Sequence, residues 1–430
     1  MNPPRTIALR GGRIVDATGE RSGDVLLEDG EIVQVGPDLS GDETLDASGA
    51  IVAPGFVDLH AHLRQPGKEE AETIESGSRA AALGGYTAVL AMPNTTPPID
   101  TAAVVREVLE LGRGSLVDVH TSGAITVGRA GEQLAPMAEM ASLGVRVFTD
   151  DGTGVQDDRL MRRALEYASG LGVTLAQHCE VTSLSEGTCM HEGYWSSRLG
   201  LPGQPAEAEE LMVMRDIALA RMTGARIHFQ HLSTAGSVAM VQGARSAGLQ
   251  VTSEAAPHHF TLTDECCADY DPTFKVHPPL RTTEDVAAIC SGLAEGWIDA
   301  IATDHAPHTP ESKELPFDQA PPGMLGLEYA LALAFTELVD GGHMSETEVI
   351  AAMSWKPAAI GGFESHGRPV SEGEPANLVV VDPSQRWRID AGGGASRSRN
   401  VPYVGREVRG KVRHTIVGGR PVVINGEAQQ

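Results

Sequence analysis

His60 and His62 stand two residues apart in VDLHAHLR, at the end of an apolar run. Side chains two positions apart on an extended strand leave the same face, so both imidazoles can meet one cation. Three more metal-capable groups close comparable runs: His178 in AQHCE, His231 in FQHLS and Asp304 in TDHAPH. Neutral imidazole and carboxylate suit Zn2+, at about 2.0–2.2 Å, and tolerate other divalent metals. A histidine that only fills a core has no reason to prefer the same end of every strand. The repetition therefore predicts a shared metal site.

The elements that must position these groups are legible in the same stretch. Between residues 54 and 365, short apolar runs alternate with helical stretches such as ETIESGSRAAALGG and DDRLMRRALEYASGLG. A βαβα rhythm predicts parallel strands with crossover helices. Eight strand candidates are present: GFVDLHAH, TAVLAMPN, VDVHTSGAI, VRVFTDD, VTLAQHC, ARIHFQH, QVTSEAAPHH and IDAIATDH. Eight strands close a (β/α)8 barrel, which gathers its chemistry at the C-terminal strand ends. Gly84 and Gly85 read as a helix C-cap leading into the second strand. Residues 1–53 and 366–430 read instead as short β segments with Gly and Asp turns, among them DVLLEDGEIVQVG, ANLVVVDP and RPVVING. The expected fold is α/β: a TIM-like barrel over residues 54–365, with a small β-sandwich built from both chain ends, which often lie close together.

Composition narrows the function classes. A chain of 430 residues exceeds the roughly 250–300 residues of one core, so a catalytic domain plus a smaller module is expected. The formal net charge of −25 repels nucleic acid and anionic membranes. It does not forbid an anionic small substrate, because an arginine and metal ions reverse the potential locally. Five cysteines without CxxC spacing argue against disulfides or a cysteine zinc site, and so for a reducing cytoplasm. The sequence has neither a signal-type apolar region nor an apolar run of membrane-spanning length.

The motifs PGFVDLHAHLRQPG, AMPNTTPP, FTDDG, QHCE, HLST, PPLR and TDHAPH occur in the order found in dihydroorotases. The resemblance covers essentially the whole chain and is nearest to the bacterial class related to hydantoinases and allantoinases. TDHAPHT followed by PPGMLGLE is its most discriminating part. It implies reversible cyclisation of N-carbamoyl-L-aspartate to L-dihydroorotate in pyrimidine biosynthesis, with one or two Zn2+ ions per subunit. Many relatives bridge two metals with a carboxylated lysine on the fourth strand. This chain has no lysine between Lys68 and Lys275. FTDDG resembles the subgroup in which an aspartate takes that place, assigned to Asp151 with Asp150 as the alternative.

By the same likeness His60, His62 and Asp304 hold one metal, His178 and His231 the other, and Asp151 touches both. The metal polarises the amide carbonyl and acidifies a bound water. Asp304, beside that water, is the expected proton shuttle. Arg64, just after the HxH, can pair bidentately with the substrate carboxylate. Asn94 and His308 resemble substrate-contacting positions, and the stretch Gln319–Gly323, including Pro322 and Gly323, is expected to offer backbone amides. One departure is His277, where the family usually has asparagine before PPLR. Imidazole still donates a hydrogen bond, but it is bulkier and able to carry charge. His120, His191, His258, His259, His343 and His366 are assigned structural or surface roles. A homo-oligomer, such as a homodimer, and association with aspartate transcarbamoylase are the expected partnerships. The alternatives are a hydantoinase- or allantoinase-like enzyme and a non-catalytic subunit scaffolding aspartate transcarbamoylase. The absent lysine opposes the first, and the full ligand set opposes the second.

Overall fold

The computed structural model of the chain describes residues 6–390 and 392–429. Eight parallel strands follow one another around a ring: Phe56–Ala61, Tyr86–Ala91, Asp118–Thr121, Val147–Phe148, Thr174–Gln177, Ile227–Phe229, Val251–Ala255 and Ala300–Ile301. They are the first to eighth barrel strands; seven lie within runs expected from the sequence, and the second begins one residue before its run, at Tyr86. The first three and the last five pair in chain order. Parallel bridges from Gly123 to Phe148 and from Ala61 to His305 join the two sets and close the barrel.

Burial on both faces explains why these strands read as nearly continuous apolar runs. Val57, Leu59, Ala88, Leu90, Ala176, Ala300 and Ala302 fill an inner cluster floored by Ala358 and Phe363. Val89, Leu175, Ile227, Phe229 and Ile301 face outward into the main core shared with the helices. The helices are punctuated as their sequences demand. Ile74–Leu83 starts at Thr73, whose hydroxyl accepts from the Ser76 amide, and stops at Gly84. A Cβ on Gly84 would lie 2.1 Å from the Leu327 carbonyl oxygen, so the close approach requires glycine. Asp158–Leu171 is capped by the Asp157 carboxylate and ends on Gly172 at φ +70°.

Both chain ends enter one nine-stranded sheet. Its seam pairs Ile51–Pro54 antiparallel with Leu378–Arg388, Leu378 opposite Pro54 and Val381 opposite Ile51. Alternation along the seam divides the side chains. Leu378, Val380 and Val52 join Ile7, Leu9, Ile14, Leu27 and Ile416 in the module's own core. Val379, Val381, Ile51 and Ala53 turn to the main core and weld the module to the barrel. The β module expected from both chain ends is thus present, its strands paired in one continuous sheet around an apolar core of its own.

Candidate metal centre and substrate cleft

His60 is the penultimate residue of the first barrel strand, which ends at Ala61, and His62 follows it. Pairing with the second strand slips between Asp58 and Ala61. This irregularity changes the phase of the strand, so that both histidines reach the barrel mouth although Val57 and Leu59 point to the inner cluster. Asp151, His178, His231 and Asp304 lie within three residues of the ends of the fourth, fifth, sixth and eighth strands. Two of them, His231 at φ +31° and Asp304 at φ +46°, hold left-handed backbone, as does Arg64 at φ +60°. Such conformations cost about 1–3 kcal/mol each and persist only where the surroundings impose them. Here Asp58 accepts from the Thr303 amide at 2.9 Å and hydroxyl at 2.5 Å, and Glu72 meets the His305 Nε2 at 3.3 Å, fixing both neighbours of Asp304.

The structure brings all six predicted metal ligands together. His60, His62 and Asp151 form one group whose ligand atoms lie within 4.8 Å of one another, and Asp151, His178 and His231 form a second. Asp151 Oδ1 is 3.3 Å from His60 Nε2, 3.6 Å from His178 Nδ1 and 3.7 Å from His231 Nε2, while Oδ2 is 3.6 Å from His62 Nε2. Asp304 Oδ1 is 3.2 Å from His62 Nε2 and 3.6 Å from His60 Nε2. Asp150, the alternative bridge, points elsewhere. Its carboxylate accepts from the amides of Ile125 at 2.9 Å and Thr126 at 3.1 Å, and from the Thr126 hydroxyl.

The outer nitrogens of the first two histidines are already engaged. His60 Nδ1 lies 2.9 Å from Glu254 Oε1, and His62 Nδ1 lies 2.9 Å from Asn94 Oδ1. Donation there leaves each Nε2 as a lone pair facing a carboxylate, which is repulsive unless a proton or metal ion lies between. His60 Nε2 and Asp151 Oδ1 are indeed buried with no hydrogen-bond partner. The titration behaviour of the metal-free cluster follows. Burial alone would raise Asp304, but the His62 hydrogen bond and the His60 and His231 charges outweigh it and hold the carboxyl well below its usual range. Burial likewise opposes the shift of His178, which its contacts with Asp151 and Glu180 raise to about 10.

The cluster opens into a cleft of about 220 Å³ lined by Arg64, Asn94, His277, His308, Pro322 and Gly323, the whole set of expected substrate contacts. Arg64 Nε donates to the Pro307 carbonyl at 3.0 Å, which aims the guanidinium. Burial, with Arg64 beside it, lowers His308 to about 2, so its ring is neutral. His308 Nε2 lies 2.7 Å from the Pro322 carbonyl oxygen, an acceptor only, and donates its proton there. His277, expected as a possible charge, is held neutral by burial at about 4, and its Nε2 is buried without a partner. Asn94 is more engaged than expected, since its Nδ2 donates to Asp151 Oδ2 at 3.3 Å while its oxygen meets His62.

One expectation fails. The Gln319–Gly323 stretch has no amide to offer: Gln319 and Ala320 donate to Pro316 at 2.8 Å, Gly323 donates to Lys275 at 2.8 Å, and the prolines have none. Pro322 and Gly323 shape the wall. A Cβ on Gly323 would lie 2.8 Å from His308 Nε2. Two groups that the sequence reading passed over also reach the site. His258 Nε2 is 3.8 Å from Asp304 Oδ2, and Glu254 meets His60 from below. The signal for His258 was present in APHH, which follows the seventh strand as the other ligands follow theirs.

Comparison with known proteins agrees with this geometry. Residues 49–237 match the "Dihydro-orotase-like" family. The chain is 49% identical to a dihydroorotase from Streptomyces coelicolor, over 97% of this chain and 98% of that one. It is 47% identical to a dihydroorotase from Mycobacterium tuberculosis, over 98% and 99% respectively. Among solved structures, an L-hydantoinase (dihydropyrimidinase) from Arthrobacter aurescens superposes with a TM-score of 0.89 at 25% identity, over 99% of this chain and 98% of that one. With nearly half its residues shared over nearly its full length, the chain belongs to the dihydroorotase family.

Proposed function

We propose that the chain interconverts N-carbamoyl-L-aspartate and L-dihydroorotate in pyrimidine biosynthesis, with Zn2+ as its metal. The observation that carries this reading is the buried cluster of four imidazoles and two carboxylates opening into a cleft whose wall presents Arg64. His60, His62 and Asp304 would hold one ion, His178 and His231 the other, and Asp151 would touch both. The donor set fits, because Nε2 of His60 and Oδ1 of Asp151 are buried and unpartnered. A divalent cation there supplies Lewis acidity, polarising the amide carbonyl and acidifying water.

The chain's own groups supply the rest. In the hydrolytic direction Asp304, held ionised, takes the proton of the attacking water and delivers it to the departing ring nitrogen. Ring closure runs the same transfers in reverse. Arg64, aimed by Pro307, pairs with the substrate carboxylate, and the free Nε2 of His277 offers a further polar contact. Asn94 orients His62 and Asp151.

Residues 54–365 serve as the catalytic barrel, and residues 1–53 and 366–430 as its supporting module. The pairing of Ile51–Pro54 with Leu378–Arg388, just before the first barrel strand, supports that division. A second copy of the chain is the expected partner, supported by Leu211, Met214 and Met222, exposed by 43%, 52% and 57% along one helix. No helix among the described residues is long and apolar enough to cross a membrane.

The test is turnover by chelator-stripped and zinc-restored protein on dihydroorotate, hydantoin, dihydrouracil and allantoin. Zinc-dependent preference for dihydroorotate is expected. Preference for another ring, or equal turnover without metal, contradicts the reading.

A further inference from the structure

Below the metal cluster the barrel interior carries a polar layer in a core otherwise built mainly from Val, Leu and Ala. Glu254, on the seventh strand, is buried at 1% exposure. Its Oε1 lies 2.9 Å from His60 Nδ1 and its Oε2 lies 3.0 Å from His228 Nε2. His228 Nδ1 lies 2.9 Å from the Thr252 hydroxyl. Gln230 Nε2 approaches His60 Nδ1 at 3.3 Å, while Gln230 Oε1 accepts from Thr149 at 2.8 Å.

Hydrogen-bond chemistry dictates where the protons sit. A carboxylate accepts only, so both facing nitrogens carry hydrogen, and in the neutral ring His228 Nδ1 accepts from Thr252. The proton on His60 Nδ1 leaves Nε2 as the lone pair aimed at Asp151, in the tautomer a cation needs. The residue touches His60 and makes no contact with His178 or His231 among those the structure records.

We propose that Glu254 is a positioning residue that locks the tautomer of His60 and places negative charge behind it, tightening divalent-cation binding at the His60–His62–Asp151 group specifically. The inference rests on the reading above, in which a metal occupies the cluster. Glu254→Gln separates charge from packing. Its oxygen still accepts from His60, and its amide donates to His228, which switches tautomer and donates to the Thr252 hydroxyl. Every hydrogen bond is kept and only the charge is lost.

The experiment is competition titration of apo wild type and Glu254→Gln with Zn2+ against a chromophoric chelator, with Co2+ absorption spectra and apo melting curves alongside. The expected result is an affinity about 10–100-fold weaker at one site, with the other site unchanged, an altered Co2+ spectrum and no fall in apo Tm. Unchanged affinity at both sites overturns the inference. So does equal weakening of both sites accompanied by a lower apo Tm, the mark of a merely structural role. Failure of wild type to bind any metal overturns the metal reading itself, a result distinguishable from the other two. Should Glu254→Gln not fold, Glu254→Asp keeps the charge but retracts it from His60. A selective loss of about tenfold is then expected, and no loss overturns the proposal.

Discussion

Asp304→Asn isolates the proton-transfer step from the architecture around it. Asparagine is nearly isosteric and tolerates left-handed backbone, so the φ of +46° at this position adds little strain to the variant. The Asp58–Thr303 and Glu72–His305 contacts that hold the segment are untouched. The carbonyl oxygen of the new amide can occupy the place of Oδ1, 3.2 Å from His62 Nε2. Asp304 would share one ion with His60 and His62, and the asparagine oxygen can keep that contact, so zinc retention is expected to persist. What disappears is a carboxylate able to accept and return a proton. Positioned general acid–base groups contribute about 10²–10⁴-fold, or about 2.7–5.4 kcal/mol of barrier. The expected result is a kcat lower by that factor for both ring opening and ring closure, with KM and bound zinc near wild type. The assay is steady-state kinetics in each direction, paired with metal analysis and a melting curve. A kcat within about threefold of wild type refutes the shuttle role. A deficit cured by added zinc traces the loss to metal holding and not to proton transfer.

Arg64→Ala removes a charge-assisted contact worth about 1.5–3 kcal/mol, so KM for dihydroorotate should rise about 10–150-fold while kcat changes little; an unaltered KM in steady-state assays excludes the contact. The pH dependence of stability carries its own signature. His178 has its pKa raised from 6.5 to about 10 in the metal-free cluster, so its protonated form contributes stability that is full below 6.5 and is lost as pH rises through about 10. Zinc needs the deprotonated ring, so the gain in Tm on adding zinc should widen as pH climbs across that window. Differential scanning calorimetry of chelated and zinc-loaded protein checks this, and a gain that narrows contradicts it.

Much of this was legible in the chain because the barrel repeats one physical rule. Each strand is buried on both faces, so it reads as an apolar run, and each working residue stands at the run's end, as in VDLHAH, LAQHC and IATDH. What escaped was decided across the fold. Nothing in FTDDG tells Asp150 from Asp151, because the amides that claim Asp150 belong to Ile125 and Thr126. The Gly323 amide was expected to be free, but the carbonyl that takes it lies on Lys275. Glu254 was hidden within TSEAA, since an acid in a strand ordinarily signals a solvent face and here faces two buried histidines. The two chain ends were read correctly as β structure, yet their union into one sheet depends on the register of Ile51–Pro54 against Leu378–Arg388, which neither segment encodes alone.

The most direct measurement of the central claim is dihydroorotate turnover by chelator-stripped protein as Zn2+ is added back in measured equivalents. Negligible activity is expected at zero equivalents, with a rise that saturates once the cluster of His60, His62, Asp151, His178 and His231 is filled. Full activity in rigorously metal-free protein, or none at saturating zinc, would contradict the claim.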